Sequence, residues 1–290
     1  MAGKTFDRAS QDLGNIIFLE HLNVRIQDQR LATLFYVAGL GFTRDPYLMV
    51  SVDNMWVNHG QTQFHLITGN SQKIRGYADM VVPDLDALTA RLAEVKPHLQ
   101  GTAFTYSLED KYVAATCPWG NRFRCHAPGP EFGETTLGLA RVEFPVPVGN
   151  AAGIARFYET VMRAPATVSA QNGHATARVQ VGNRQELVFR ETTAPIPAYE
   201  NYHIAIYVAD FSGPHRQMVE RGILSEESNP YQYRFNDIVD VDTNKVLYTV
   251  EHEVRSATHP MFMRPLVNRN AAQRQPTYQR GRDAFVPGMV

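Results

Sequence analysis

Apolar and polar residues alternate in four stretches that share one layout: His21-Leu-Asn-Val-Arg-Ile-Gln-Asp28, Tyr77-Ala-Asp-Met-Val-Val-Pro-Asp84, Glu143-Phe-Pro-Val-Pro-Val-Gly-Asn150 and His203-Ile-Ala-Ile-Tyr-Val-Ala-Asp210. In the first, Leu22, Val24 and Ile26 alternate with His21, Asn23 and Arg25; in the last, Ile204, Ile206 and Val208 alternate with His203, Ala205 and Tyr207. Period two with one apolar face predicts a half-buried strand whose apolar side lies under a helix. The Asp or Asn seven positions after each leading residue is a good helix N-cap, because its side chain can accept from a free backbone N–H. Helices are predicted over 29–38, 85–95, 151–162 and 213–221. Strand-like stretches with turn signals follow each helix, as at 47–52, 54–57 and 63–67.

A β-α-β-β-β unit therefore recurs four times, in modules of about 50 to 65 residues, a normal size for a supersecondary repeat. Phe35-Tyr36 lies 14 residues after His21, and Phe157-Tyr158 lies 14 after Glu143. Cys117-Pro-Trp-Gly-Asn121 in module two parallels Asp240-Val-Asp-Thr-Asn244 in module four. The modules thus alternate A-B-A-B, which predicts two domains of two consecutive modules each. The boundaries expected are an N-terminal segment 1–15, a first domain 16–128, a Gly/Pro/Glu/Thr-rich linker 129–138, a second domain 139–255 and an extended arm 256–290. Such an arm packs on the body or crosses to a second copy, which makes a homodimer an expectation.

Composition narrows the function. The 290 residues are 44% apolar and 20% charged, ordinary for a globular protein. A net charge of -1 supplies no basic field for nucleic acid or an anionic membrane, so neither is expected as a partner. No apolar run approaches a membrane span, and the N-terminus lacks the charged-then-apolar order of a secretory signal. Cys117 and Cys125 make no disulfide framework and no CxxC motif, so they read as core residues in a cytoplasmic protein. No phosphate loop, nucleophile elbow or nucleotide fingerprint is present.

The strand-to-cap motifs, the two Phe-Tyr pairs with Gly39-Leu-Gly-Phe42 after the first, and the Pro118-Trp-Gly-Asn121 turn resemble the vicinal oxygen chelate superfamily. That superfamily includes glyoxalase I, bleomycin-resistance proteins, fosfomycin-resistance enzymes and extradiol dioxygenases. The resemblance spans roughly 16–255. It implies an α+β fold of four βαβββ modules paired into two cupped half-barrel domains. It also implies that a cup can hold a divalent metal on ligands from its first and last strands. With consecutive pairing, His21 and Tyr77 fall in one cup and Glu143 and His203 in the other.

In the second cup, Glu143 and His203 join Glu251, which alternation along 246–253 turns inward, as a candidate ligand set for Fe(II), Mn(II) or Zn(II). The resemblance places the last-strand carboxylate three residues after the turn Asn, where Leu247 stands. Glu251 lies about 13 Å farther along a strand, so a bulge or shifted turn is expected. The run Glu251-His252-Glu253 also reads as a solvated strand end. His21 and His65 are the alternative site in the first cup. There Arg124, through its planar fork, His126 and Tyr77 are candidates for binding an anionic substrate. Tyr207 and Tyr248 are candidates for catalytic hydrogen bonding or proton transfer. Against these stand plainer roles: a strand histidine can be a hydrogen-bonded core residue, and Glu143 can simply pair with Arg141 or Arg190.

The function expected is that of a metal-dependent enzyme acting on a small organic substrate through bidentate oxygen chelation. Its chemistry would be dioxygenase-like or that of a lyase or isomerase. Glu143 in a histidine position breaks the two-His-one-carboxylate rule that the resemblance implies for extradiol cleavage. The alternative is a metal-free binding or sequestering protein, with the stock of 15 Phe and 13 Tyr lining an apolar cup.

Overall fold

All four strand-to-helix units form. The computed structural model describes residues 6–48, 53–171 and 173–268. Module one is β1 (Ile16–Ile26), α1 (Gln29–Ala32, continued by a π-wound turn Thr33–Gly39), β2 (Thr43–Arg44), β3 (Asn54–His59) and β4 (Thr62–Thr68). Module two is β5 (Tyr77–Val81), α2 (Leu85–Val95), β6 (Thr105–Leu108), β7 (Tyr112–Thr116) and β8 (Arg122–His126). Module three is β9 (Gly138–Pro147), α3 (Ala151–Phe157, continued by a π-wound turn Tyr158–Met162), β10 (Ala166–Gln171), β11 (His174–Gly182) and β12 (Gln185–Thr192). Module four is β13 (His203–Val208), α4 (Ser212–Arg221), β14 (Leu224–Asn229), β15 (Gln232–Val239) and β16 (Val246–Ser256).

Two of the four predicted residues, Asp28 and Asp84, cap from the N-cap position, and a third, Asp210, accepts from one residue before it. Asp28 accepts from the N–H of Arg30 and Leu31, Asp84 from that of Ala87, and Asp210 from that of Gly213. Asn150 does not cap. Its amide donates to the Leu247 carbonyl, and the Glu191 carboxylate accepts from Gly149 and Ala151 instead. Residues 47–48 of the strand expected over 47–52 are not strand, and 49–52 lie outside the described residues.

The modules do not pair in chain order. One eight-stranded sheet runs β14-β15-β16-β13-β1-β4-β3-β2 and joins modules four and one. The other runs β10-β11-β12-β9-β5-β8-β7-β6 and joins modules three and two. The expected division into 16–128 and 139–255 therefore cuts across both sheets. Its basis was the A-B-A-B alternation, which either pairing satisfies: each sheet contains one A and one B module. The structure places the leading strands side by side, β1 antiparallel to β13 and β5 antiparallel to β9. The segment expected as the interdomain linker, 129–138, packs on the body, with Phe132 buried against Val81 and Ala140.

Alternation then sets the layers. Leu22, Val24 and Ile26 are buried on the helix side of β1, and the apolar faces of both sheets meet in one continuous core with the helices. Phe35 and Tyr36 sit in the first π-wound turn, and Phe157 and Tyr158 straddle the start of the second. Tyr36 touches Phe64 of β4 and Phe123 of β8, while Tyr158 touches Phe189 of β12 and hydrogen-bonds His252 of β16. Cys117 and Cys125 are free and buried. One close crossing requires glycine: Gly76 has φ +121°, and a Cβ there would collide with the Glu143 carbonyl.

The polar faces of the strands line two cups. The arm residues 256–268 lie on the body. Phe262 covers Tyr207, Arg264 pairs with Asp45, and Asn58 and Gly60 donate to Val267 and Asn268. The rest of the expected arm is outside the described residues. No helix among the described residues is long and apolar enough to cross a membrane.

Candidate metal centre

In the sheet of modules one and four, cross-strand register stacks the polar residues into rungs. His21 lies between Gln63 and Ala205, and Ala205 faces Glu253. One rung on, Asn23 lies between His65 and His203, and His203 faces Glu251. Arg25 and its neighbour Ile67 form the next rung. All of these but Gln63 and Ala205 line a cavity of about 440 Å³, together with Trp56, Asn201, Gln232, Arg234 and Arg255.

His21, His203 and Glu253 come together here: all three are buried, and one ligand atom from each lies within 4.8 Å of the others. Each histidine has a carboxylate behind it. His21 Nδ1 lies 3.0 Å from Glu20 Oε2, and His203 Nδ1 lies 3.3 Å from Glu251 Oε1. That leaves the Nε2 atoms facing inward. His21 Nε2 is buried without a hydrogen-bond partner, and His203 Nε2 is 3.4 Å from Glu253 Oε2. Burial, reinforced by Arg255, holds His21 well below the ordinary histidine range, so its ring is neutral.

Glu20 reaches His21 because of a bulge. Between Leu19 and His21, β1 uses two residues where β13 uses one, which turns Glu20 to the same side as its neighbour. Tyr207 donates to Glu20 Oε1 at 3.0 Å, and Arg255 donates to Glu20 Oε2 at 2.5 Å. Glu253 is gripped by two guanidinium groups, Arg234 on Oε2 and Arg255 on Oε1, each at 2.5 Å. Burial alone would raise its carboxyl; Arg255, the two histidines and Arg234 instead hold it at about 2. Glu251 is also lowered against burial, by His203 and Arg234.

The other cup is filled differently, with arginines set among its carboxylates. Arg124 lies between Asp79, in a short bidentate pair, and Glu143 at 3.1 Å. Arg190 holds Glu143 at 3.2 Å, and Arg141 lies 3.4 Å from Asp79. A guanidinium thus occupies the middle of this cup and neutralises its carboxylates.

The structure rearranges the predicted site residues. Glu143 is opposite Tyr77 in the second sheet, so the set Glu143, His203 and Glu251 does not assemble. The reason is the module pairing. His203 and Glu251 are adjacent as expected, and the register obstacle disappears because the extra length sits in the β15–β16 hairpin, whose register shifts twice. Glu251 backs His203 and is not in the three-residue cluster. His21 joins His203, but His65 is fully engaged: Asn23 donates to its Nδ1 at 2.6 Å and its Nε2–H donates to Asn54 at 2.7 Å. It stacks on Trp56 and is half-buried, and loss of water, with His21 and His203 close by, pushes it down to about 2.

Tyr207 stands behind Glu20. Tyr248 faces the core, against Phe144 and Phe189, because it shares the parity of Val250 and His252. Arg124 is committed to two carboxylates, His126 is 3.7 Å from Asp79, and the Tyr77 hydroxyl accepts from Arg122. All three lie in the other cup. Sequence reasoning passed over Glu253, Glu20, Arg234, Arg255 and Trp56. Glu253 was available from parity, being two residues from Glu251 on one face; the run Glu251-His252-Glu253 is not a solvated end, since His252 and Glu253 are buried.

Solved structures share this architecture. A putative dioxygenase from Bacillus subtilis superposes with TM-score 0.55 over 88% of this chain and 92% of its own, at 13% identity. Glyoxalase I from Zea mays superposes with TM-score 0.56 over 83% and 92%, at 14% identity. The fold is the one seen in these glyoxalase I and putative dioxygenase structures. A point mutant of the same maize enzyme gives TM-score 0.59 over the same shares. No protein-family model and no curated protein sequence matches the chain.

Proposed function

We propose that the cup of modules one and four is a divalent-metal site. On this proposal the protein is a metal-dependent enzyme of the vicinal oxygen chelate type, acting on a small organic substrate. The supporting observation is the convergence of His21, His203 and Glu253, with each histidine's Nδ1 already held by a carboxylate. Two imidazoles and one carboxylate suit Fe(II), Mn(II) or Zn(II) and leave coordination positions for two substrate oxygens. The buried, unpartnered His21 Nε2 fits such an ion, since an orphaned lone pair in a dry site is costly without one.

His21, His203 and Glu253 would be the ligands. Glu20 and Glu251 fix the histidine tautomers and ring orientations, as carboxylates behind ligand histidines commonly do. Tyr207 and Arg255 hold Glu20 in turn. The metal would supply Lewis acidity or dioxygen activation. Restoring a histidine pair to the site removes the objection that Glu143 raised to dioxygenase chemistry, and lyase or isomerase chemistry uses the same set.

Metal analysis tests this. Protein purified without added metal is expected to carry, or take up, about one equivalent of Fe, Mn or Zn, and His203→Ala is expected to lose it. No uptake by the wild-type protein would refute the proposal. The alternative, a metal-free binding protein, draws on the two guanidinium groups that already neutralise Glu253. It requires small-molecule binding that is indifferent to chelators.

A further inference from the structure

The arginines of the candidate site are not equivalent. Arg234 and Arg255 line the cavity and hold Glu251, Glu253 and Glu20. Arg25 lines the same cavity and forms no ion pair among the described residues. Its backbone is pinned at both groups: its N–H donates to Gln72 Oε1 at 2.8 Å and its carbonyl accepts from Gln72 N–H at 3.0 Å. Its side chain runs across Gly69, where an added Cβ would lie 3.2 Å from Arg25 Cδ. The fold therefore keeps a lane for an extended, unneutralised guanidinium at the exposed end of the cavity.

Its position relative to the cluster is fixed by the strand. Arg25 shares the cup face of β1 with His21 and Asn23 and lies about 13 Å from His21 along an ideal strand. The cavity wall along this stretch includes the indole of Trp56 and, on the rung of Arg25 itself, the side chain of Ile67. Of the three arginines that line the cavity, Arg234 and Arg255 are paired with Glu251, Glu253 and Glu20, and Arg25 alone has no such carboxylate among the described residues. A divalent ion would add positive charge to the cavity, and an anion bound at Arg25 would offset it.

We propose that Arg25 is the specificity-determining residue of this site. Its guanidinium takes a carboxylate at the far end of a substrate whose vicinal oxygens lie against His21, His203 and Glu253. This inference rests on the metal proposal above. The substrate class is a small molecule with a chelating pair of oxygens at one end, an apolar middle against Trp56 and Ile67, and a carboxylate at the other end.

Two hydroxamates that differ only at the far end test it by calorimetry on zinc-loaded protein. Adipate monohydroxamate carries the terminal carboxylate, and hexanohydroxamate does not. The first is expected to bind about tenfold or more tightly than the second, the usual size of a charge-assisted hydrogen-bond pair. Arg25→Gln is expected to abolish that preference while leaving zinc affinity and hexanohydroxamate affinity unchanged, and Arg25→Lys to restore part of it. Equal affinities in the wild type, a preference that survives Arg25→Gln, or no binding of either probe would overturn the inference. Zinc uptake is measured first, on the same preparations. Its absence refutes the metal proposal and this inference with it, whereas uptake without a carboxylate preference refutes this inference alone.

Discussion

Glu20 is the residue whose role depends most on local geometry. By simple alternation it belongs to the opposite face from His21, and only the bulge in β1 brings its carboxylate to His21 Nδ1. Glu20→Gln keeps the shape and removes the charge, so zinc affinity is expected to fall about 10- to 100-fold, read from competition with a chromogenic chelator. An unchanged affinity would mean that His21 does not ligate. The histidines themselves were legible in the sequence because they lead equivalent strands. Glu253 was legible from parity. Glu20, Arg234 and Arg255 were not, because a bulge and cross-strand ion pairs leave no periodic mark.

At the scale of elements, the two cups show what one framework does with different side chains. In one, two histidines face a carboxylate. In the other, Arg124 lies between Asp79 and Glu143 where burial leaves them little water. Arg124→Met is expected to destabilise the protein by about 3 kcal/mol in chemical denaturation, because it takes from Asp79 and Glu143 the guanidinium they share and leaves each only its second guanidinium, Arg141 or Arg190. It should not alter metal content. Loss of metal from that variant would place Arg124 in the site after all. The predicted strands and helices were legible because period two and the Asp caps are local signals. The failure at Asn150 was not, because the carboxylate that replaces it, Glu191, comes from a distant strand.

For the whole molecule, the decisive property is which modules share a sheet. Cutting after residue 137 would expose the β1 edge that meets β13 and the β5 edge that meets β9. The fragment 1–137 is therefore expected to lack a cooperative unfolding transition; a folded, monomeric fragment would show that modules one and two form a unit of their own. The sequence could not disclose this, since both pairings bury the same apolar faces.

Stability should also fall in acid. His59 and His252 are buried and neutral, pushed down by burial to about 3 and about 4, while the unfolded chain titrates near the ordinary value of 6.5. Between pH 6.5 and 4 the unfolded state binds protons that the native state refuses, so each histidine costs about 1.4 kcal/mol per pH unit as pH falls. Urea unfolding at pH 7 and pH 5 would read this, and His59→Gln should flatten the dependence by one such increment. An unaltered dependence would show that His59 titrates normally.

The central claim is that residues from the two ends of the chain make one metal centre. Metal content of His21→Ala and Glu143→Gln, measured side by side with the wild type by mass spectrometry, tests it most directly. The expected result is that His21→Ala loses the metal and Glu143→Gln keeps about one equivalent. Metal retained by His21→Ala, or lost from Glu143→Gln, would contradict it.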